Sequence, residues 1–259
     1  MNTSDNNSFY WFIFFDDQIL LQKENETYTI PFCREAPIQV THILPVEIPD
    51  GTTIMAAYTD TPLPETENFT SMGLRASYDF IDKRLYELGG KASEIIFWDK
   101  HSQFCPVCGT KMKQASLISK KCPSCQYEMF PAVSPAILVL IRKENSILLV
   151  HAHNFKGTFN GLVAGFLETG ETLEQCVERE VKEETGLEIN NIRYWGNQPW
   201  PYPSNLMIGF IADYVSGELK LQKEELSSGD FYTKDNLPQI PRKLSLARKM
   251  IDWWVEQQE

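Results

Sequence analysis

The sequence predicts an α+β chain in three parts, and three observations carry that expectation. Short apolar runs bounded by turn residues fill the first hundred residues, as strands and turns do. Two Cys-x-x-Cys pairs then punctuate a stretch with too little apolar material to fold unaided. Beyond about residue 131, apolar runs alternate with amphipathic segments, as strands and helices do in one layered domain. The expected boundaries are an N-terminal mixed α/β domain over 1–98, a cysteine module over 99–130 and a third domain over 131–259. A length of 259 residues is enough for a sizeable core.

Within the first part, Tyr10–Phe15, Tyr28–Phe32 and Ile54–Tyr58 read as strands, and Thr59–Thr70, with two prolines, as a loop. A helix is expected from Ser71 through Leu88, stopped by Gly89-Gly90. In the third part, Ala136–Ile141 and Ser146–Val150 make two strands joined through Lys143-Glu144-Asn145. Thr158–Gly165 reads as a strand ending in glycine, and Leu173–Thr185 as a helix. Strands are expected near Ile192–Trp195, Leu206–Val215 and Phe231–Thr233, with a last amphipathic helix over Leu244–Gln257. The longest apolar stretches, Phe9–Phe15 and Ala136–Ile141, fall far short of the roughly 18 residues of a membrane span. Phe9–Phe15 follows Asn and Asp rather than Lys or Arg, so it does not read as a secretory signal. A cytoplasmic chain without a membrane partner is expected.

The four clustered cysteines have the spacing Cys105-x2-Cys108-x13-Cys122-x2-Cys125. Zn²⁺ favours four ligands in a tetrahedron, and each Cys-x-x-Cys turn offers two thiolates from one bend. Gly109 relieves crowding, and Pro106 and Pro123 stiffen the two turns. Four thiolates leave no vacant position, so one structural Zn²⁺ per chain is expected. Two redox or buried cysteine pairs are the rival reading. The module's lysines, Lys111, Lys113, Lys120 and Lys121, suit either a solvated face or contact with nucleic acid.

The net charge of −11 is unevenly placed. Residues 101–125 hold four basic and no acidic residues, whereas 165–187 hold two basic and seven acidic ones. Overall acidity argues against coating nucleic acid by charge alone and leaves room for a cation-assisted site. In the acidic segment, Thr172 and Gln175 fit a capping box and Gly186 suits a left-handed helix end. At about 100° per residue, Leu173, Cys176, Val177 and Val181 share one face. Glu180, Glu183 and Glu184 fall on that same side, and Glu174, Glu178 and Lys182 on the opposite one. Carboxylates among core residues are costly unless compensated. Mg²⁺ or Mn²⁺ would do so, because these ions prefer carboxylate oxygen and retain water sites for phosphate.

The stretch Gly165 to Leu187 resembles the Nudix box, G-x5-E-x7-R-E-U-x-E-E-x-G-U with U aliphatic, at every fixed position. The resemblance implies an α/β/α sandwich for the third domain and hydrolysis of a nucleoside diphosphate linked to another moiety. It assigns Glu180, Glu184 and usually Glu183 to divalent-metal binding, with Glu171 beside them, and Arg179 to orienting the carboxylates. Downstream, Asn197-Gln-Pro-Trp-Pro-Tyr-Pro-Ser-Asn205 is similar to the S-Q-P-W-P-F-P-x-S signature of the NADH pyrophosphatase subfamily, which also carries a zinc ribbon. That likeness carries a metal-binding carbonyl onto Ala164 and a distal metal carboxylate onto Glu225. It carries dinucleotide contacts onto Gln198, Pro199, Trp200, Pro201, Tyr202, Pro203, Ser204 and Asn205, with Arg75, Phe130 and Ala247 as further contacts.

Departures from the pattern are Asn197 for serine, Tyr202 for phenylalanine, Phe130 for tyrosine, and no acidic residue within 101–125. The implied reaction is metal-assisted cleavage of NADH or NAD⁺ to nicotinamide mononucleotide and AMP. Removal of the NAD cap from RNA would break the same bond. Glu183 is the first choice for general base, with Glu184 and Glu225 as alternatives. The resemblance also implies a homodimer. His151 and His153 read as incidental. Competing expectations are a broader, ADP-ribose-type hydrolase, and a zinc-ribbon RNA-binding protein with an inactive Nudix domain.

Overall fold

The computed structural model describes residues 8–153 and 157–257. The described residues form two compact units, 8–132 with Pro201–Ser204, and 133–200 with 205–257.

The first unit opens with β1 (Phe9–Phe15), β2 (Gln18–Glu24), β3 (Thr27–Thr29), β4 (Phe32–Cys33), β5 (His42–Glu47), β6 (Thr53–Tyr58) and β7 (Phe69–Gly73). They make one sheet in the order β3-β2-β1-β6-β5, with β4 on β1 and β7 on β2. Trp11 through Phe14 are buried in succession on β1, which explains an uninterrupted apolar run where a half-exposed strand would alternate. A short helix α1 (Leu74–Ser77) leads to α2 (Lys83–His101), capped by Asp82, whose carboxylate accepts from the Arg84 and Leu85 amides.

Here the structure corrects the expected helix over 71–88. Phe69–Gly73 pairs with β2, and α2 runs straight through Gly89 and Gly90. Glycine inside a helix costs about 1 kcal/mol relative to alanine. The pair is nonetheless accommodated, because it lets the helix approach its neighbours closely. A Cβ on Gly89 would lie 3.2 Å from Leu74 and 3.4 Å from Phe12, and one on Gly90 would lie 3.0 Å from Pro201.

The cysteine module follows as β8 (Lys113–Ser116), β9 (Ser119–Lys121) and β10 (Glu128–Met129), an antiparallel ribbon in the order β10-β9-β8. Its apolar core is Cys105, Met112 and Cys122 with Met129 packed against them, too small to stand by itself. Lys120 is buried rather than solvated. Its ammonium lies 2.6 Å from the buried Asp99 carboxylate, 2.8 Å from the Asp99 carbonyl and 5.3 Å from the Trp98 ring centroid. Lys111, Lys113 and Lys121 are the lysines exposed on the module.

The second unit contains β11 (Ser134–Lys143), β12 (Ser146–Ala152), β13 (Val163–Phe166), α3 (Leu173–Thr185), β14 (Glu188–Trp200), β15 (Asn205–Ser216), β16 (Leu226–Thr233) and α4 (Leu246–Glu256). Its sheet order is β14-β15-β11-β12-β16, with β13 on β11 and a parallel β11·β15 pair at the centre. Successive residues of β11 point to opposite faces, and each face has its own helix. Ile137, Val139 and Ile141 pack with Cys176, Val177 and Val181 of α3. Leu138 and Leu140 pack with Leu246, Met250, Ile251 and Trp254 of α4. This is the α/β/α sandwich, and two buried faces explain the unbroken apolar run of β11. The strand expected over 158–165 is shorter, beginning at Val163, although Gly161 bridges Val150. No helix among the described residues is long and apolar enough to cross a membrane.

Candidate active site and metal centre

The cysteine quartet closes as the spacing predicts. All four Sγ atoms lie within 4.8 Å of one another, with contacts of 3.5 Å for Cys105–Cys125 and Cys108–Cys122 and 3.6 Å for Cys108–Cys125. Zn–S bonds of about 2.3 Å in a tetrahedron place sulfurs about 3.8 Å apart, so this set fits the ion. The Gly109 and Gln126 amides donate to the Cys105 and Cys122 carbonyls, closing a tight turn after each pair. Hydrogen bonding with Thr110 and Cys122 draws the Cys108 thiol down to about 6, favouring the thiolate a metal needs.

The second unit assembles the glutamates. Thr172 and Gln175 form the reciprocal capping box that starts α3, and Gly186 ends it at φ +72°. The helix turns Cys176, Val177 and Val181 into the core and carries Glu184 in with them, 8% exposed. Glu184 has no side-chain hydrogen bond or ion pair among the described residues. Burial, then the charges of Glu180, Glu225 and Glu183, push its carboxyl up to about 8. Glu180 lies half-buried against β13, and burial raises its carboxyl too. Its seat exists because residue 165 is glycine: a Cβ there would fall 1.9 Å from the Glu180 carboxyl carbon. Glu183 departs from the expected core-facing side, with its side chain 54% exposed, because at 3.6 residues per turn it sits at the edge of the apolar stripe.

Arg179 gathers this cluster. Its guanidinium donates to Glu180 at 2.9 Å, to Glu183 at 3.1 Å, to the Phe166 carbonyl at 3.1 Å, and to both Glu171 oxygens. Glu171 also accepts from the Glu168 amide, and these bonds, Arg179 first, hold it down near 2. Ala164 is paired with Leu138 on β13, one residue before Gly165. Glu225 stands on the turn before β16, which sequence reasoning did not anchor. His153 does so: its ring bonds the Lys223 carbonyl at 3.0 Å and its amide donates to the Glu225 carbonyl at 2.9 Å. Only spatial neighbours reveal that histidine's role, because nothing in its spacing marks it.

The downstream aromatic-proline segment divides. Gln198, Pro199 and Trp200 end β14, and Asn205 begins β15, paired with Trp200. The Gln198 amide donates to the Leu244 carbonyl at 2.9 Å and accepts from Lys249 at 3.2 Å, so it is held by the start of α4. Ala247 packs against the α4-side core. Pro201 to Ser204 pack within the first unit. Pro201 and Ser204 are buried, Pro203 is exposed, and the peptide bond before Pro203 is cis. The Tyr202 hydroxyl meets that of Tyr86 at 2.5 Å, and Arg75 lies 6.0 Å from the Tyr202 ring centroid. Phe130, also in the first unit, is 55% exposed.

Comparisons with known proteins agree with this geometry. Residues 132–254 match the NUDIX domain family, 8–98 the NADH pyrophosphatase-like rudimentary NUDIX domain, and 100–130 the NADH pyrophosphatase zinc ribbon domain. A Klebsiella pneumoniae protein named NAD-capped RNA hydrolase NudC is 39% identical over 172 residues, covering 66% of this chain and 67% of that one. The chain belongs to the Nudix family. Its three matched segments put it in the NADH pyrophosphatase branch with a zinc ribbon. A relative of the same name from Pseudomonas aeruginosa is 41% identical over 167 residues, 64% of this chain and 60% of its own length. The chain therefore spans about three fifths of that relative. A solved NUDIX hydrolase from Nitrosomonas europaea, 21% identical with a TM-score of 0.52, covers 60% of this chain and 91% of that one and shares the fold.

Proposed function

We propose that this chain hydrolyses the diphosphate bridge of NADH or NAD⁺, releasing nicotinamide mononucleotide and AMP. The observation that carries the proposal is Glu184, a buried carboxylate without a side-chain partner among the described residues, set beside Glu180, whose own seat only glycine at 165 permits. Such a pair is costly as structure and fits a divalent cation. The family match and the relatives named NAD-capped RNA hydrolase support the substrate class.

Glu180, Glu183 and Glu184, with Glu171, Glu225 and the Ala164 carbonyl, would hold Mg²⁺ or Mn²⁺. When bound, those ions neutralise the bridging phosphates and ease ionisation of the attacking water. The protein's own part is positioning. Arg179 holds Glu171, Glu180 and Glu183 in one array by charge-assisted bonds. Glu183, more exposed than Glu180 and Glu184, would take the water's proton, with Glu184 or Glu225 as the alternatives. Gln198, Pro199, Trp200 and Asn205, with Ala247, Phe130, Arg75 and the 201–204 segment, would contact the dinucleotide. One Zn²⁺ would sit in the cysteine quartet as a structural ion. We take 1–98, 99–130 and 131–259 as the domains, and a cytoplasmic homodimer as the working form.

Removal of an NAD cap from RNA breaks the same bond, with exposed Lys111, Lys113 and Lys121 available for the RNA. A second reading, an ADP-ribose-type hydrolase, is favoured by the absence of any acidic residue in 101–125, where the subfamily has a ring contact. Comparing kcat/KM for NADH, ADP-ribose and a 5′-NAD-capped RNA decides among them. Preference for NADH or the capped RNA over ADP-ribose upholds the proposal. Equal turnover of ADP-ribose replaces it with the broader hydrolase.

A further inference from the structure

The segment 201–204 leaves β14, packs within the first unit and returns into β15. Three contacts fix it there. Pro201 lies in van der Waals contact with α2 at Gly90, where any Cβ would come within 3.0 Å. The Tyr202 hydroxyl meets Tyr86, three residues nearer the start of α2 than Gly89, at 2.5 Å. Ser204, 8% exposed, donates its hydroxyl to the Ala132 carbonyl at 2.9 Å. Tyr86 is itself 5% exposed and held edge-on by Tyr78, with ring centroids 5.2 Å apart. The Tyr202 hydroxyl is therefore engaged by the protein, and what the segment can offer a ligand is its ring face and its backbone.

We infer that Tyr86 is a positioning residue that sets the orientation of the Tyr202 ring, and through it the affinity for the dinucleotide, from a helix outside the Nudix box. This rests on the proposed substrate reading. Tyrosine at 202, where phenylalanine is usual, and a tyrosine at 86 to receive its hydroxyl are on this view two halves of one device. The physical signature is an asymmetry. Removing either hydroxyl takes from the other the bond they share, at the buried Tyr86 or the half-buried Tyr202, whereas removing both leaves two phenyl rings that need none.

The test is steady-state hydrolysis of NADH with Mn²⁺ by the full chain and by Tyr86→Phe, Tyr202→Phe and the double variant, with unfolding midpoints measured in parallel. Tyr86→Phe should raise KM about fivefold, the size of one net hydrogen bond, with kcat within twofold. Adding Tyr202→Phe should recover most of that loss. A merely structural contact would lower the unfolding midpoint and leave KM where it was, and that result would overturn the inference. So would a double variant as impaired as Tyr86→Phe alone. Absence of NADH turnover in the unaltered chain would remove the substrate reading itself, an outcome distinguishable because no variant is needed to see it.

Discussion

Replacing Glu184 with glutamine keeps the shape of the side chain and removes its charge, which isolates what that charge does to the fold. The carboxyl is held up to about 8 by burial and by Glu180, Glu225 and Glu183, against an ordinary value of 4.5. Below about 4.5 it is protonated in both the folded and unfolded chain, and it contributes its full stability. As pH rises, the unfolded chain ionises first while the folded chain keeps its proton, so that stability is lost progressively up to about 8. At 1.36 kcal/mol per tenfold change in proton affinity, the loss is on the order of 4 kcal/mol. Urea unfolding at pH 5 and pH 8.5, with zinc supplied and magnesium and manganese withheld, measures it. Glu184→Gln should lack this part of the pH dependence together with the repulsion that Glu184 exchanges with Glu180, while the contribution of Glu94, whose carboxyl is raised by burial alone, is common to both proteins and cancels. Adding Mg²⁺ at pH 8.5 should restore stability to the unaltered chain far more than to the variant. Identical pH dependence in the two proteins, or equal stabilisation by Mg²⁺, would refute the reasoning.

Three further outcomes are expected. Gly165→Ala places a methyl group where the Glu180 carboxyl sits, and a displacement of that order should cut turnover on the order of a hundredfold, read by kcat beside an unfolding midpoint. Lys120→Met leaves Asp99 buried without its ammonium and should destabilise the chain by about 3–5 kcal/mol, whereas exposed Lys111→Ala should stay within about 0.5 kcal/mol by chemical denaturation. Metal analysis should find one zinc per chain, and Cys122→Ser, which removes a buried ligand from a module with almost no core, should lose it.

What could be read from the sequence was what local spacing encodes. The cysteine turns, the capping box at Thr172 and Gln175, and the interleaving of Glu184 with Val177 and Val181 each depend on residues a few positions apart, and each appears in the structure. The two faces of β11 were hidden inside one apolar run, because a strand buried on both sides has no alternation to detect. The helix expected to stop at Gly89 failed for a different reason. Glycine there answers to Phe12, Leu74 and Pro201, all far away in sequence, and propensity cannot register close approach by distant residues. Lys120 looked like a solvated charge because its partner, Asp99, sits on the last turn of α2, 21 residues earlier in the chain. Tyr86 and His153 carry no motif at all, and their roles exist only as contacts to Tyr202 and to the Lys223–Glu225 turn.

The most direct measurement is to incubate the chain with NADH and Mn²⁺, resolve the nucleotides, and repeat with Glu184→Gln. Equimolar nicotinamide mononucleotide and AMP from the unaltered chain, and neither from the variant, is the result expected of a diphosphate hydrolase built on this glutamate cluster. No mononucleotide from the unaltered chain, or equal amounts from both, would contradict it.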